Sequence, residues 1–255
     1  MGIFGQKTGS ASTARKDRSS SILAEISLLA LILVPAIAVS VSTHRPASAA
    51  QCSTTAEPGL DWSKCGKKNL MLGGSNLEKA NLSEADFSMT DLSYVNIKGA
   101  NLEKTLLARS WLTGAHAEKA NFSRIEAYRS GFVNIIADGA TFAGAELQRA
   151  NFSGAHLTGV DFEKAELGRA NFQKAVLTGT RFSLANLSRA DLTNSVVEGP
   201  IVFDRAFLFL THIEGLDLSA ATGLEQEQID ISCGDEKTKL PSGLKTPGAW
   251  PCDAE

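Results

Sequence analysis

Large apolar side chains return at every fifth position from Leu72 to Phe207. Read in steps of five, this stretch gives 28 consecutive units, and the central residue is Leu or Phe in 22 of them. Nine of the twelve phenylalanines fall in that column: Phe87, Phe122, Phe132, Phe142, Phe152, Phe162, Phe172, Phe182 and Phe207. Two residues earlier runs a second column, Ala, Ser or Thr in 21 of the 28 units. Between them sits a polar residue, often Asn or Asp, as at Asn81, Asp86, Asn101, Asn121 and Asp161. A helix repeats its apolar face about every 3.6 residues and a flat strand about every 2. A period of five predicts neither. It predicts a chain that turns a corner at each unit and winds into a coil with one large and one small inward column. Repeats at a fixed period make solenoids, which display surfaces more readily than they build pockets.

Segments such as Ala80-Asn81-Leu82-Ser83-Glu84, Ala150-Asn151-Phe152-Ser153-Gly154 and Ala190-Asp191-Leu192-Thr193-Asn194 resemble the A-(N/D)-L-x-x units of the pentapeptide-repeat family. The resemblance covers residues 70–210. It implies an all-β fold, a right-handed quadrilateral β-helix with four units to a coil. The 28 units then make about seven coils, roughly 34 Å of rod at a strand spacing of about 4.8 Å. Residues twenty apart should stack. Phe122, Phe142, Phe162 and Phe182 would form one core ladder, and Phe132, Phe152 and Phe172 another on the opposite side.

The flanks are read separately. Residues 1–50 open with Arg15, Lys16 and Arg18, continue with an apolar run over 26–39, and end on Ala47-Ser48-Ala49. This is the pattern of a cleaved secretory signal, with an uncleaved anchor as the alternative. A cleaved signal predicts a periplasmic or secreted protein with no membrane span. Residues 51–69 are expected to form an N-terminal cap, and 211–255 a C-terminal cap and tail with a short helix near 224–231. All four cysteines lie in these flanks: Cys52, Cys65, Cys233 and Cys252. An even number in an exported chain suggests disulfides, and of three possible pairings the local one is expected. The tail from Lys239 to Cys252 resembles those of exported bacterial members of the family. Formal charge is −3, and beyond residue 50 there are 20 basic and 26 acidic groups. That modest acidic excess disfavours nonspecific nucleic-acid binding.

Candidate chemistry is sparse. No nucleophile motif or phosphate-binding glycine loop occurs, so no catalytic residue, cofactor or metal site is expected. His116 and His156 would lie two coils apart with Ile136 between them, too far to share a metal. Glu-Lys neighbours such as Glu78-Lys79 and Glu163-Lys164 read as a solvated face. One outward group departs from the polar pattern: Tyr94, Leu106, Trp111, Tyr128 and Val133, expected around one corner and suited to a protein or glycan contact. A second apolar segment, 201–210, has only Val202 and Phe207 in phase with the core; an intramolecular cap or an end-to-end homodimer would cover the rest. The leading reading is a non-enzymatic, exported protein presenting a rigid surface to an unidentified protein or envelope component. A DNA-mimicking inhibitor or protector of a type II topoisomerase, known within the family, and a purely structural envelope protein are the alternatives.

Overall fold

The computed structural model describes residues 51–252. They wind as a right-handed β-helix with one short helix, α1, Gln226–Asp230. Each rung is tied to the next by parallel backbone pairing between residues twenty apart, as at Asn81 with Asn101 and Asn101 with Asn121. Leu82 N–H donates to Asn101 O (2.7 Å), and Asn101 N–H donates back to Ala80 O (2.9 Å). Four such columns, five residues apart, fill every twenty residues.

The five-residue unit explains its own composition. The small-column residue closes the turn with its amide, as Ala85 N–H does on Leu82 O (3.1 Å). The residue before it is left-handed: Lys64, Glu84, Lys104 and Arg124 have φ of 57–58°. Among the described residues no Val, Ile or Thr occupies such a position, consistent with the steric cost of β-branching there. The Asn or Asp on the rung accepts a hydrogen bond from the amide two residues on, as Asn121 Oδ1 does from Ser123 (3.0 Å) and Asp161 Oδ1 from Glu163 (2.9 Å). This side-chain bond stabilises the corner. At Asp61 and Asp91 the side chain of the serine two residues on, and then its amide, hold the carboxyl below its usual range.

Inside, both columns are dry. Phe122, Phe142, Phe162 and Phe182 stack with ring centroids 4.5, 5.1 and 5.3 Å apart. Phe132, Phe152 and Phe172 stack at 4.6 and 5.1 Å. The two ladders meet edge to face, as Phe142 does with Phe152 at 5.7 Å and 89°. Polar residues of the small column are satisfied from within: Thr105 and Thr180 each donate a hydroxyl to a carbonyl of the coil below (2.9 and 3.0 Å).

The winding passes both limits expected from the sequence. Pairing begins at Asp61 with Asn81, inside the segment assigned to the N-terminal cap, and continues past 210 to Lys239, which pairs with Asp217. Trp62, Cys65 and Lys67 are therefore inward residues of the first coil. Lys67 occupies the large apolar column because its ammonium donates to Cys52 O (2.7 Å) and lies 3.6 Å over the Trp62 ring. Burial pushes its pKa down.

The phase also slips by one residue. Before 199 the rungs pair at a separation of twenty, but Arg181 pairs with Val202 and Asn186 with Phe207. Pro200 falls in the small column, where an amide must close the turn, and proline has none. Five residues later, uncorrected phase would put the Arg205 guanidinium in the core. One extra residue at this point resolves both. Ile201, Phe203 and Leu208 become core, while Val202 moves to a rung and Phe207 is 51% exposed. The expectation that Val202 and Phe207 are the buried pair is thus reversed. With Ile201, Phe203 and Leu208 covered internally, most of the apolar excess that suggested an end-to-end dimer is already buried.

Each end is closed. Gln228 of α1 donates to Phe203 O and Ala206 O (2.9 and 2.8 Å), carbonyls at the open edge of the last coils. Ile229 is the buried residue of α1, whereas Ile231 is exposed. Trp250 donates to Ser232 O (2.8 Å) and packs on Gly234, where a Cβ would collide with the indole. Disulfides join Cys52 to Cys65 and Cys233 to Cys252, residues separated by 13 and 19 positions. Such caps cover strand edges that would otherwise recruit other chains. Replacing Cys233 and Cys252 together by Ser should lower stability by about 3 kcal/mol. Denaturant titration of the variant, with dithiothreitol-treated native protein alongside, measures it.

Candidate binding surface

One rung column runs Met71, Asp91, Trp111, Gly131, Asn151, Asn171 and Asp191. Trp111 is 51% exposed and lies over Gly131, whose missing Cβ would sit 3.6 Å from the indole Cδ1. The glycine supplies the flat floor, and the tryptophan takes the place of a polar rung residue. Tyr94, 68% exposed, lies across Gly114 in the same way, so closely that a Cβ there would meet its ring. Tyr128 is 39% exposed and carries Arg129 5.1 Å above its ring.

The five residues singled out from the sequence do not gather at one corner. Tyr94 and Val133 occupy the turn that leaves the Trp111 column, and Tyr128 the turn that enters it. Leu106 belongs to the preceding column, between Asp86 and Glu126. The reason is the five-residue unit itself, which inserts a turn between successive columns. The result is a band crossing the Trp111 column from edge to edge. Leu106 and Val133 are half-buried in it, so the three aromatics provide most of its exposed apolar surface.

A neighbouring feature escaped the five-residue reading. The turn that enters this column carries Arg109, Arg129, Arg149, Arg169 and Arg189, one on each successive coil. A shallow cleft runs along it past Gln148, Gly168 and Ser188. A search at a period of twenty finds the series, but that period has meaning only once the coil length is known.

Among the described residues no group of His, Cys, Asp and Glu could hold a metal ion. His116 and His156 both pair with Ile136, which lies on the coil between them. No helix of the described residues is long and apolar enough to cross a membrane. The apolar run and cleavage pattern before residue 51 lie outside the described residues.

A family model described as pentapeptide repeats (8 copies) matches residues 72–107, 138–173 and 165–199. Among solved structures the chain is similar to QnrB1, a plasmid-mediated fluoroquinolone resistance protein, at 16% identity and TM-score 0.46, covering 69% of this chain and 94% of that one. It is similar to HetL, a pentapeptide repeat protein involved in heterocyst differentiation regulation from the cyanobacterium Nostoc sp. strain PCC 7120, at 18% identity and TM-score 0.29, covering 74% and 86%. A pentapeptide repeat protein from the Arabidopsis thaliana thylakoid lumen is 26% identical with TM-score 0.26, covering 47% and 78%. A comparison with curated proteins gave no match.

Proposed function

This chain belongs to the pentapeptide-repeat family, and we propose that it is an exported, non-catalytic binding protein that presents a rigid, four-sided rod to a protein or envelope component. The observation that carries this reading is the band of exposed Tyr94, Trp111 and Tyr128 gathered about one rung column. Exposed aromatic anchors on a preordered surface bind with little loss of entropy, because the floor beneath them is already hydrogen-bonded. Two disulfides support an oxidising compartment, and the signal-like segment before residue 51 supports export. The arginine column weighs against mimicry of DNA, whose surface is uniformly anionic.

Trp111→Ala tests the reading. The side chain is half exposed, so the fold should be retained. Capture of cell-envelope extract by immobilised protein should fall by about tenfold, the effect of losing one hot-spot aromatic. Capture equal to that of the native chain removes the proposal.

A further inference from the structure

Five of the eight arginines between residues 51 and 252 stand in the single column Arg109, Arg129, Arg149, Arg169 and Arg189, and no lysine interrupts it. The backbone holds them in register: Arg129 N–H donates to Gln148 O (3.0 Å), Arg149 N–H to Gly168 O (2.9 Å) and Arg169 N–H to Ser188 O (2.8 Å). All five have left-handed φ of 56–60°, so their side chains leave the backbone in a common direction. That direction is visible at equivalent turns. The stems of Lys79, Lys119 and Arg124 lie 3.7, 3.7 and 3.5 Å from where a Cβ would stand on Gly99, Gly139 and Gly144, one coil above. The arginines therefore follow the rod axis, one cation per rung of about 4.8 Å over roughly 19 Å.

Elsewhere on the rod, cations meet a carboxylate of the next coil: Lys98 with Glu118 (2.9 Å), Arg181 with Asp161 (2.7 Å), Arg124 with Glu103. Among the described residues none lies within ion-pair distance of Arg109, Arg129, Arg149 or Arg169. Like charges one rung apart lie inside the screening length of about 8 Å at physiological salt, so Arg109, Arg129, Arg149 and Arg169 repel one another until an anion arrives. Glu126, Glu146 and Glu166 make its near side acidic. An anion must approach from the other side, along Trp111, Gly131, Asn151 and Asn171. There Asn151 and Asn171 use their carbonyl oxygens to accept from Ser153 and Gln173 (3.0 and 2.8 Å). Their amide NH2 groups have no acceptor among the described residues.

We propose that this side of the rod binds a linear anionic polysaccharide with one carboxylate on each sugar, lying parallel to the rod axis. The carboxylates sit on the arginines, whose planar forks match them in a bidentate pair. Hydroxyls accept from Asn151 and Asn171, and the terminal ring stacks its apolar face on Trp111. In an extended two-fold uronic-acid chain the carboxylates of every second sugar face the rod, about two rungs apart, and so meet alternate arginines. A nucleic acid would need a row of aromatic platforms, and polyphosphate would leave the tryptophan and asparagines unused. The inference names the ligand class for the surface proposed above and rests on that reading.

Full-length protein should be titrated calorimetrically with galacturonic acid oligomers, with methyl-esterified oligomers, inorganic polyphosphate and single-stranded DNA in parallel. The variant is Arg129→Asn, Arg149→Asn and Arg169→Asn combined, since Asn accepts a left-handed backbone. The control makes the same charge change at equivalent turns of another column: Lys64→Asn, Lys104→Asn and Lys164→Asn. Galacturonate binding is expected to weaken with salt, to fall at least about tenfold in the arginine variant and to stay within about threefold in the control. Equal losses in both variants, equal binding of the esterified chain, or preference for polyphosphate or DNA would overturn it. If galacturonate fails while Trp111→Ala still loses envelope capture, the ligand class falls and the interaction surface stands; if both fail, both readings fall.

Discussion

Deleting Gly154 should destroy the winding from that point to Pro200, whereas deleting Pro200 should leave it intact. Gly154 is the left-handed corner (φ 67°) of a regular unit. Its removal advances every later residue by one place, so that Phe162, Phe172 and Phe182 leave the core and polar rung residues enter it. A one-residue register error costs a whole face in any β-structure. The interior packs too closely to absorb it. A solenoid gains stability only from contacts between neighbouring coils, so the fault persists until Pro200, where the extra residue of the native slip restores the phase. Limited proteolysis of the Gly154 deletion should leave no resistant fragment spanning residues 155–200. Pro200 is different because it sits where the phase already slips. Without it, Gly199 supplies the left-handed corner, Ile201 closes the turn with its amide, and Phe203 follows in regular five-residue phase. The Pro200 deletion should remain protease-resistant and differ in stability by no more than about 1–2 kcal/mol. A collapse comparable with that of the Gly154 deletion would show that the slip is required for the last coils to dock.

The slip also marks the boundary of what the sequence discloses. Between 72 and 197 the period of five fixes which residues face inward, because every unit except those of Ala117, Ala127 and Ala137 has one large residue in the column, with mostly polar neighbours. From 201 to 210 the chain is apolar in both phases: Val202 and Phe207 fit the old one, Phe203 and Leu208 the new. Hydrophobicity alone cannot choose between them. The deciding signals are Pro200, which cannot close a turn, and Arg205, which cannot enter a dry core. At the other end, Lys67 conceals the first coil. A lysine in the large column argues against winding unless its ammonium has an acceptor, and that acceptor is a carbonyl of the cap, Cys52 O. The aromatic band was legible as residues but not as an arrangement, since which turns flank Trp111 depends on the order of columns. The arginine column demanded still more, because its members are scattered at a distance of twenty and acquire meaning only as neighbours on stacked rungs.

Phe152→Ala should cost about 3–5 kcal/mol, towards the upper end of that range. Phe152 is fully buried and touches four other phenylalanine rings: Phe132 and Phe172 stacked at 4.6 and 5.1 Å, Phe142 and Phe162 edge to face at 5.7 Å each. Such ring pairs add roughly 0.5–1.5 kcal/mol beyond area burial, and a hydrogen-bonded backbone on every side prevents collapse into the space left behind. Phe87 provides the internal comparison. It is equally buried, but its one ring contact among the described residues is a tilted pairing with Trp62 at 6.3 Å. Phe87→Ala should therefore cost less by at least about 1 kcal/mol. Both values come from urea titration followed by far-ultraviolet circular dichroism. Hydrogen exchange on the Phe152 variant should show weakened protection centred on residues 132–172. Equal losses at Phe87 and Phe152 would mean that the aromatic ladders contribute only by filling volume. A Phe152 loss below about 1 kcal/mol would mean that the column does not form a common dry interior, since deletion of a fully enclosed phenyl ring costs more than that in any close-packed core.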